Sequence, residues 1–136
     1  MPLGGCLCGT VRYETGAPVE HIDHCHCSMC RRSHGAAFAT YGRVPREGFR
    51  IVSGDGALTA FASSEAVKRS FCGKCGSSLL FEHAAAPDFV FVAVATLDED
   101  PGARPESHIF VASKAPWYEI TDALPRHDEY PPGVTD

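Results

Sequence analysis

The cysteines of this chain lie in three tight groups whose spacing is typical of metal ligands. Seven cysteines occur among 136 residues, in the segments Cys6–Cys8, Cys25–Cys30 and Cys72–Cys75. The first and third segments together supply four thiolates, and the second supplies three. Zinc held by four protein ligands is usually closed and structural, whereas zinc held by three keeps a fourth position for water or substrate. The pattern therefore predicts two zinc ions per chain, one structural and one associated with catalysis.

The four-thiolate site is predicted from Cys6, Cys8, Cys72 and Cys75. The spacing of Cys72 and Cys75, followed by Gly76, is typical of a zinc knuckle, in which a strand ends at the first ligand and the chain turns back to the second. Cys6 and Cys8 would project to the same side of an extended segment. The alternatives are a redox pair or buried free thiols. A thioredoxin-type redox pair should open a helix in an α/β pattern, whereas strand signals flank these cysteines.

The three-thiolate site is predicted from Cys25, Cys27 and Cys30. Cys25 and Cys27 share one side of a predicted strand, so the alternating residues His24 and His26 should face away from the metal. On a helical turn, a residue four positions after Cys30 would share its face, and that residue is His34. If His34 binds, the site is closed; if it does not, water or an external thiolate completes it. Because a metal keeps a bound thiol ionised, an open site favours a thiol substrate.

Basic residues follow both cysteine groups and could bind an acidic substrate. Arg31 and Arg32 come directly after Cys30. Guanidinium groups bind carboxylates through paired hydrogen bonds, so these two arginines are our candidates for binding the substrate. Other basic residues near the Cys72–Cys75 segment are Lys68, Arg69 and Lys74. These could offset the charge of the thiolates, although the lysines are equally well explained as solvated surface residues.

Length and charge exclude several classes of protein. A chain of 136 residues fits one domain, which we predict to span residues 1–136. The formal net charge of −5 argues against nucleic acid as a partner, because a nonspecific binder needs surplus Lys and Arg. No apolar run approaches the roughly 20 residues of a membrane span, and no signal-peptide pattern precedes Cys6. We therefore expect no membrane association and a cytoplasmic location, where grouped cysteines are more often metal ligands or redox groups than disulfides.

The spacing of apolar residues predicts an all-β domain. Short segments rich in Val, Phe, Tyr, Thr and Ile recur between Gly, Pro and Asp residues, as strands do. The predicted strands are Thr10–Glu14, Val19–Cys27, Ala37–Arg43, Phe49–Ser53, Leu58–Ala62, Val67–Cys72, Ser78–Glu82 and Phe89–Ala95. Phe89–Ala95 is apolar throughout, so we expect it at the centre of a sheet. Gly54-Asp55-Gly56 predicts a tight turn, and Ser28–Gly35 predicts a short helical turn.

The last third of the chain is predicted to wrap around the domain with little regular structure, because six of the ten prolines follow residue 100. We expect three aromatic residues to hold this segment against the domain, namely Phe110, Trp117 and Tyr118. Other residues could line a pocket but are interpreted as packing or surface residues. They are Tyr41, Asp98, His108, Trp117 and His127.

The cysteine motifs resemble those of the glutathione-dependent formaldehyde-activating enzyme family, also called the CENP-V/GFA domain family. The matching segments, in family order, are Gly5–Gly9, Cys25–Arg32, Phe71–Gly76, His108–Val111 and Ala115–Tyr118. The resemblance implies an Mss4-like, β-tent fold of antiparallel sheets with two zinc sites. It also implies that Cys25, Cys27 and Cys30 hold the zinc ion associated with activity, and that the other four cysteines hold the structural ion.

The reaction that names this family joins formaldehyde to glutathione and gives S-hydroxymethylglutathione, a carbon–sulfur lyase chemistry. The leading hypothesis is therefore a zinc-dependent lyase whose partners are glutathione and an aldehyde. Two other classes fit the same residues: a non-catalytic thiol carrier, and an interaction domain in which both metals serve only the fold. A filled second zinc site would favour the interaction domain. The sequence predicts no particular oligomeric state.

Overall fold

The computed structural model describes residues 2–131, which fold into ten strands, one α-helix and three short 3-10 helices. The strands are β1 (Leu3–Gly5), β2 (Arg12–Glu14), β3 (Glu20–Cys25), β4 (Ala39–Pro45), β5 (Arg50–Ser53), β6 (Leu58–Ala62), β7 (Val67–Cys72), β8 (Ser78–His83), β9 (Phe89–Ala93) and β10 (Pro105–Ile109). The helix α1 is Ser28–His34, and the 3-10 helices are Asp55–Ala57, Val94–Thr96 and Val111–Ser113. The predictions of a mostly β fold and of a helical turn after Cys27 are confirmed.

The strands form a small sheet and a large one. The small sheet has the order β1-β2-β5, and the large sheet has the order β10-β3-β4-β9-β8-β7-β6. Strand β9 is fourth of seven, which confirms the central position predicted from its apolar sequence. All pairings of the large sheet are antiparallel except that of β10 with β3, which is parallel. The expected antiparallel architecture therefore carries one parallel strand at its edge.

Each predicted strand overlaps an observed one, and two observed strands were not predicted. The prediction Val19–Cys27 was too long, because β3 ends at Cys25 and the chain turns there into α1. Strand β1 is short and contains two glycines, which weaken any strand signal. Strand β10 begins at Pro105 in the segment predicted to be irregular. Proline is tolerated at the first position of an edge strand, which is the position it has here.

The two faces of the large sheet have different functions in the fold. One face packs with the small sheet around a core that includes Val11 and Tyr13 on one side and Val44 and Val92 on the other. The opposite face carries a second cluster, in which Tyr41 packs near Cys25 and Cys30. Successive side chains of a strand point to opposite faces, so β4 serves both clusters. The main core and the three-cysteine segment are therefore separated by the thickness of one sheet.

Gly42 in β4 is required by the packing of the main core. A Cβ atom at this position would lie 2.2 Å from Val19 Cγ1 and 3.3 Å from both Ile22 Cγ1 and Val94 Cγ2. Since Val19 is only 2% exposed and β-branched side chains are stiff, we expect Gly42→Ala to reduce the free energy of unfolding by about 1–3 kcal/mol. Urea denaturation measures this change. Gly56→Ala is the matched control, because a Cβ there meets nothing within 4 Å; equal effects of both changes would contradict the expectation.

The segment after β10 packs along the edge of the large sheet. The His108 amide donates to Pro125 O (2.9 Å), and the His127 amide donates to His108 O (2.9 Å). Two of the three aromatic anchors are confirmed: the ring of Phe110 lies 4.8 Å from that of Tyr130, and Tyr118 lies 5.6 Å from Phe38. Trp117 was assigned wrongly, because 71% of it is exposed to solvent.

Two smaller observations complete the fold. The predicted turn at Gly54 is confirmed, since this residue has a φ of 76° and is the N-cap of the 3-10 helix that leads from the small sheet into β6. No helix in residues 2–131 has the length and apolar character needed to cross a membrane.

Candidate metal centres

Four cysteines from two distant segments of the chain meet at one place. The Sγ atoms of Cys6, Cys8, Cys72 and Cys75 all lie within 4.8 Å of one another. Cys8 Sγ is 3.6 Å from Cys6 Sγ and 3.9 Å from Cys72 Sγ. A tetrahedral zinc ion with Zn–S bonds of about 2.3 Å requires S···S distances of roughly 3.8 Å. The four sulfur atoms are therefore arranged as such an ion requires.

The segment Cys6–Gly9 presents its two thiols through a turn. The Gly9 amide donates to Cys6 O at 3.1 Å, and Gly9 has a φ of 80°. The expectation that Cys6 and Cys8 lie in an extended segment was therefore wrong, although both thiols do reach the same point. The Val11 amide donates to Cys6 Sγ at 3.2 Å, a contact that stabilises a thiolate and orients it toward a metal.

The segment Cys72–Gly76 has the geometry of a knuckle. Cys72 ends β7, the Gly76 amide donates to Cys72 O at 2.8 Å, and Gly76 has a φ of 81°, a left-handed conformation that glycine adopts readily. Gly73 is required by close packing, because a Cβ there would lie 2.7 Å from Thr59 Oγ1. A hydrogen bond with the Ser77 hydroxyl (3.2 Å) lowers the pKa of Cys75 to about 5, which favours the thiolate that a metal binds.

The second cluster is formed where β3 runs into α1. Cys25 ends the strand, Cys27 is the N-cap of the helix, and Cys30 lies in its first turn. Cys27 Sγ accepts a hydrogen bond from the Cys30 amide at 3.2 Å, and the three Sγ atoms lie within 4.8 Å of one another. Hydrogen bonds from Cys25 and then Cys30 lower the pKa of Cys27. Cys27 is also the most exposed of the three, since Cys25 and Cys30 are buried.

His34 does not complete this cluster. Its Nε2 atom lies 2.9 Å from the Tyr41 hydroxyl, and the two rings make an edge-to-face contact at 5.3 Å. Within residues 2–131, the group of potential ligands at this place contains Cys25, Cys27 and Cys30 and no other Cys, His, Asp or Glu. The alternative in which His34 is the fourth ligand is therefore not supported. The described chain supplies three ligands here and four at the other cluster.

The neighbouring histidines face away from the thiols, as expected. His24 Nδ1 lies 2.7 Å from Thr40 Oγ1, and His26 Nε2 lies 2.8 Å from His108 Nδ1. His108 Nε2 in turn lies 2.9 Å from Asp122 Oδ2. His26 and His108 are fully buried, and burial lowers the pKa of His26 to about 4. This chain of three groups fixes the loop between Cys25 and Cys27 to the C-terminal segment, and no sequence motif indicated it.

The basic residues predicted to lie near the cysteines occupy different positions in the structure. Arg31 and Arg32 lie on α1 beside Cys30; Arg31 is half-buried and Arg32 is exposed. Arg69 had been grouped with the Cys72–Cys75 segment, but its Nη1 atom lies 3.5 Å from Cys30 Sγ in the other cluster. Lys68 forms a surface ion pair with Glu82 at 3.5 Å, so its interpretation as a surface residue fits.

Of the remaining pocket candidates, one lies beside the three-cysteine cluster and two do not. Tyr41 is buried beside the three-cysteine cluster, within 3.5 Å of Arg69 Nη1, and burial raises its pKa. Tyr41 is therefore part of the site and not only packing. Asp98 pairs with Arg12 at the surface, and the backbone of His127 binds that of His108. Among residues 2–131, neither the Asp98 side chain nor the His127 side chain forms a hydrogen bond with a thiol cluster.

Comparison with known proteins gives a consistent result. Residues 1–113 match the family described as glutathione-dependent formaldehyde-activating enzyme. A Schizosaccharomyces pombe protein named as an uncharacterized lyase is 26% identical over 89 residues, and the match spans 65% of this chain and 63% of that protein. A crystal structure of a Rhodobacter sphaeroides protein is 29% identical, has a TM-score of 0.58, and is matched over 76% of this chain and 91% of its own.

The family match includes all seven cysteines and ends before Asp122. It also includes Arg69 and Tyr41, the two buried polar residues beside the three-cysteine cluster. Since the matched region covers most of the sequence and both thiol clusters, the chain belongs to the glutathione-dependent formaldehyde-activating enzyme family.

Proposed function

We propose that this protein is a zinc-dependent carbon–sulfur lyase that binds a thiol at the three-cysteine cluster and forms or cleaves an S-hydroxymethyl adduct. Glutathione is the proposed thiol and formaldehyde the proposed aldehyde, as the family description suggests. The name of the yeast relative as a lyase supports the reaction class. All seven cysteines are free, which fits a reducing compartment, and we place the reaction in the cytoplasm.

The observation that carries this proposal is the difference in ligand number between the two clusters. The chain offers four thiols at one and three at the other, and His34 is held by Tyr41 instead of by the second cluster. Closely spaced thiolates are the soft donors that zinc prefers. Zinc bound at such a site lowers the pKa of a further thiol that joins it. A three-ligand set thus favours recruitment of an external sulfur, whereas the four-ligand set is complete.

The residues around the second cluster suit a negatively charged thiol. Cys27 is partly exposed at the start of α1, so a ligand can approach from solvent on that side. Arg31 and Arg32 lie on the same helix, and Arg31 Nε is buried without a hydrogen-bond partner among the described residues. A carboxylate of the tripeptide would satisfy this group. We propose that these arginines orient the thiol while Arg69 faces the sulfur ligands from within.

The proposed reaction is the addition of a thiol to an aldehyde. The thiol sulfur attacks the carbonyl carbon of the aldehyde, and a carbon–sulfur bond forms as the carbonyl π-electron pair moves to oxygen. The proton lost from the thiol ends on that oxygen and gives the hydroxymethyl group. The reverse direction breaks the same bond and returns thiol and aldehyde. The protein contributes by holding the sulfur ionised and oriented, which converts a bimolecular encounter into a reaction between positioned groups.

The test is the exchange rate between free and hydroxymethylated glutathione. This addition also occurs without a protein, so we expect the zinc-loaded enzyme to raise the rate measured by magnetisation-transfer NMR above the spontaneous rate. The increase should saturate with glutathione and should disappear in Cys27→Ser. Saturable binding with no acceleration would identify a thiol carrier instead, and no binding at millimolar glutathione would leave only the interaction-domain alternative.

A further inference from the structure

Arg69 is a buried cation beside the three-cysteine cluster. It lies in β7 with only 7% of its surface exposed. Its Nε atom donates to Ser63 Oγ at 3.0 Å, and its guanidinium carbon lies 5.1 Å from the centre of the Phe81 ring. Its Nη1 atom lies 3.5 Å from both Cys30 Sγ and the Tyr41 hydroxyl. The guanidinium is therefore held in one orientation, with one edge toward the thiol cluster.

No carboxylate balances this charge within residues 2–131. Arg69 forms no ion pair with an Asp or Glu there. Phe81 lies opposite Arg69 in the β7–β8 pair, and the acidic residue after Phe81 forms ion pairs with other residues. That residue, Glu82, binds Arg46 and Lys68 at the surface. A buried charge without a counter-charge is strongly unfavourable. Cys30 Sγ lies 3.5 Å from Arg69 Nη1 and would carry negative charge once it binds a metal, so it is our candidate for the counter-charge.

The net charge and the exposure of each metal-loaded cluster explain why a cation is needed at the three-thiolate cluster and not at the four-thiolate cluster. Three thiolates and one divalent ion carry a net charge of −1, which Arg69 neutralises. The four-thiolate cluster would carry −2, but Cys8 is exposed and Cys75 partly exposed, so water screens that charge. A fourth thiolate would add a further negative charge at the three-thiolate cluster, and without Arg69 the buried Cys30 would lose the guanidinium that faces its sulfur.

We propose that Arg69 is the counter-charge of the three-thiolate cluster and a positioning residue for Cys30, and that it makes the cluster select an anionic sulfur over a neutral ligand. The selectivity part rests on the proposed function, whereas the counter-charge part rests only on the geometry. Arg69 acts through the sulfur ligands and through its own charge. Its position is fixed by Ser63 and Tyr41, which contact it from neighbouring parts of the fold.

The proposal is tested with the cadmium-113-loaded full chain, which should give one resonance for each thiol cluster. In Arg69→Gln we expect the resonance of the three-thiolate cluster to shift and that of the four-thiolate cluster to stay. Glutathione affinity, followed through the shifting resonance, should fall about tenfold or more, because the incoming thiolate would lose the attraction of a buried cation nearby. Binding of imidazole, a neutral ligand, should be unchanged or stronger. Arg69→Lys keeps the charge and should restore most of the glutathione affinity.

Arg104→Gln is the control, since Arg104 is exposed and forms its ion pair with Asp100 at the surface, away from both thiol clusters among residues 2–131. The proposal is overturned if both resonances and the glutathione affinity of Arg69→Gln match those of Arg104→Gln. It is also overturned if glutathione and imidazole lose affinity equally, or if Arg69→Lys is as impaired as Arg69→Gln. Should Arg69→Gln fail to fold, Arg69→Lys decides by the same readouts. If the wild-type protein does not bind glutathione, the proposed function is refuted. The resonance shift in Arg69→Gln still tests whether Arg69 is the counter-charge of the cluster.

Discussion

Cys72→Ala should unfold the protein under conditions in which the wild type is fully folded. Cys72 is completely buried and joins the end of β7 to a segment 64 residues earlier in the chain. The binding free energy of a structural zinc ion, about 10–16 kcal/mol, is comparable to the whole stability of a domain of this size, about 5–15 kcal/mol. We therefore expect loss of the native circular dichroism spectrum and loss of both metal ions, against two per chain in the wild type by elemental analysis.

A matched control lies beside the same metal-binding cluster. Leu7→Ala changes a residue between Cys6 and Cys8 that is 88% exposed, so it should keep both ions and change stability little. Removing metal from the wild type with a strong chelator should reproduce the unfolding of Cys72→Ala. A Cys72→Ala protein that retains a native spectrum and a normal urea midpoint would contradict the structural assignment of this cluster.

Much of the site could be predicted because its ligands are local in sequence. Cysteines two or three residues apart can reach one ion whatever the rest of the fold does, so each of the three groups followed from spacing. The union of the Cys6–Cys8 and Cys72–Cys75 groups, 64 residues apart, followed only from the four ligands that a closed zinc site needs. The helical turn after Cys27 and the central position of β9 followed from local composition. The turn at Cys6–Gly9 could not be predicted in this way. An extended strand and a tight turn can each bring thiols two residues apart to the same side, so the spacing fits both.

The features that were missed depend on how distant strands assemble. Arg69 reaches Cys30 across 39 residues of sequence, and its neighbours Cys72 and Cys75 in the chain belong to the other cluster. The contact of His108 with His26 requires the parallel pairing of β10 and β3, which no short pattern encodes. Asp122 completes that chain of hydrogen bonds from a proline-rich segment with little regular structure. Sequence spacing thus identified the ligands, and the topology determined which charges and rings surround them.

Cys27→Ser should remove the second metal ion and the binding of thiols while the fold remains. The serine hydroxyl can accept the hydrogen bond that Cys27 Sγ now takes from the Cys30 amide, because serine is a favourable N-cap residue. Helix α1 should therefore keep its start. An uncharged hydroxyl is a poor ligand for a soft metal site, so two cysteines would remain as ligands. Elemental analysis should find one zinc ion per chain, and the exchange of hydroxymethylated glutathione should return to its spontaneous rate.

We expect the fold to survive in Cys27→Ser because of the architecture. The main core lies on the opposite face of the large sheet, and the four-thiolate cluster keeps its own ligands. Cys30→Ala should likewise abolish thiol binding, but at a greater cost in stability, since Cys30 is 2% exposed and its loss removes the sulfur nearest to the buried Arg69. The comparison of the two variants therefore separates loss of the ion from loss of packing.

The decisive comparison is between Cys27→Ser and Cys72→Ala in one set of measurements. If the two clusters have different functions, Cys27→Ser loses thiol binding with a nearly unchanged urea midpoint, whereas Cys72→Ala loses the folded state itself. Equal unfolding by both variants would mean that the three-thiolate cluster also maintains the fold, as in an interaction domain. Retention of catalysed exchange in folded Cys27→Ser would mean that the thiol is bound elsewhere. Because the hydroxyl preserves the helix cap, neither outcome could be attributed to damage at the start of α1.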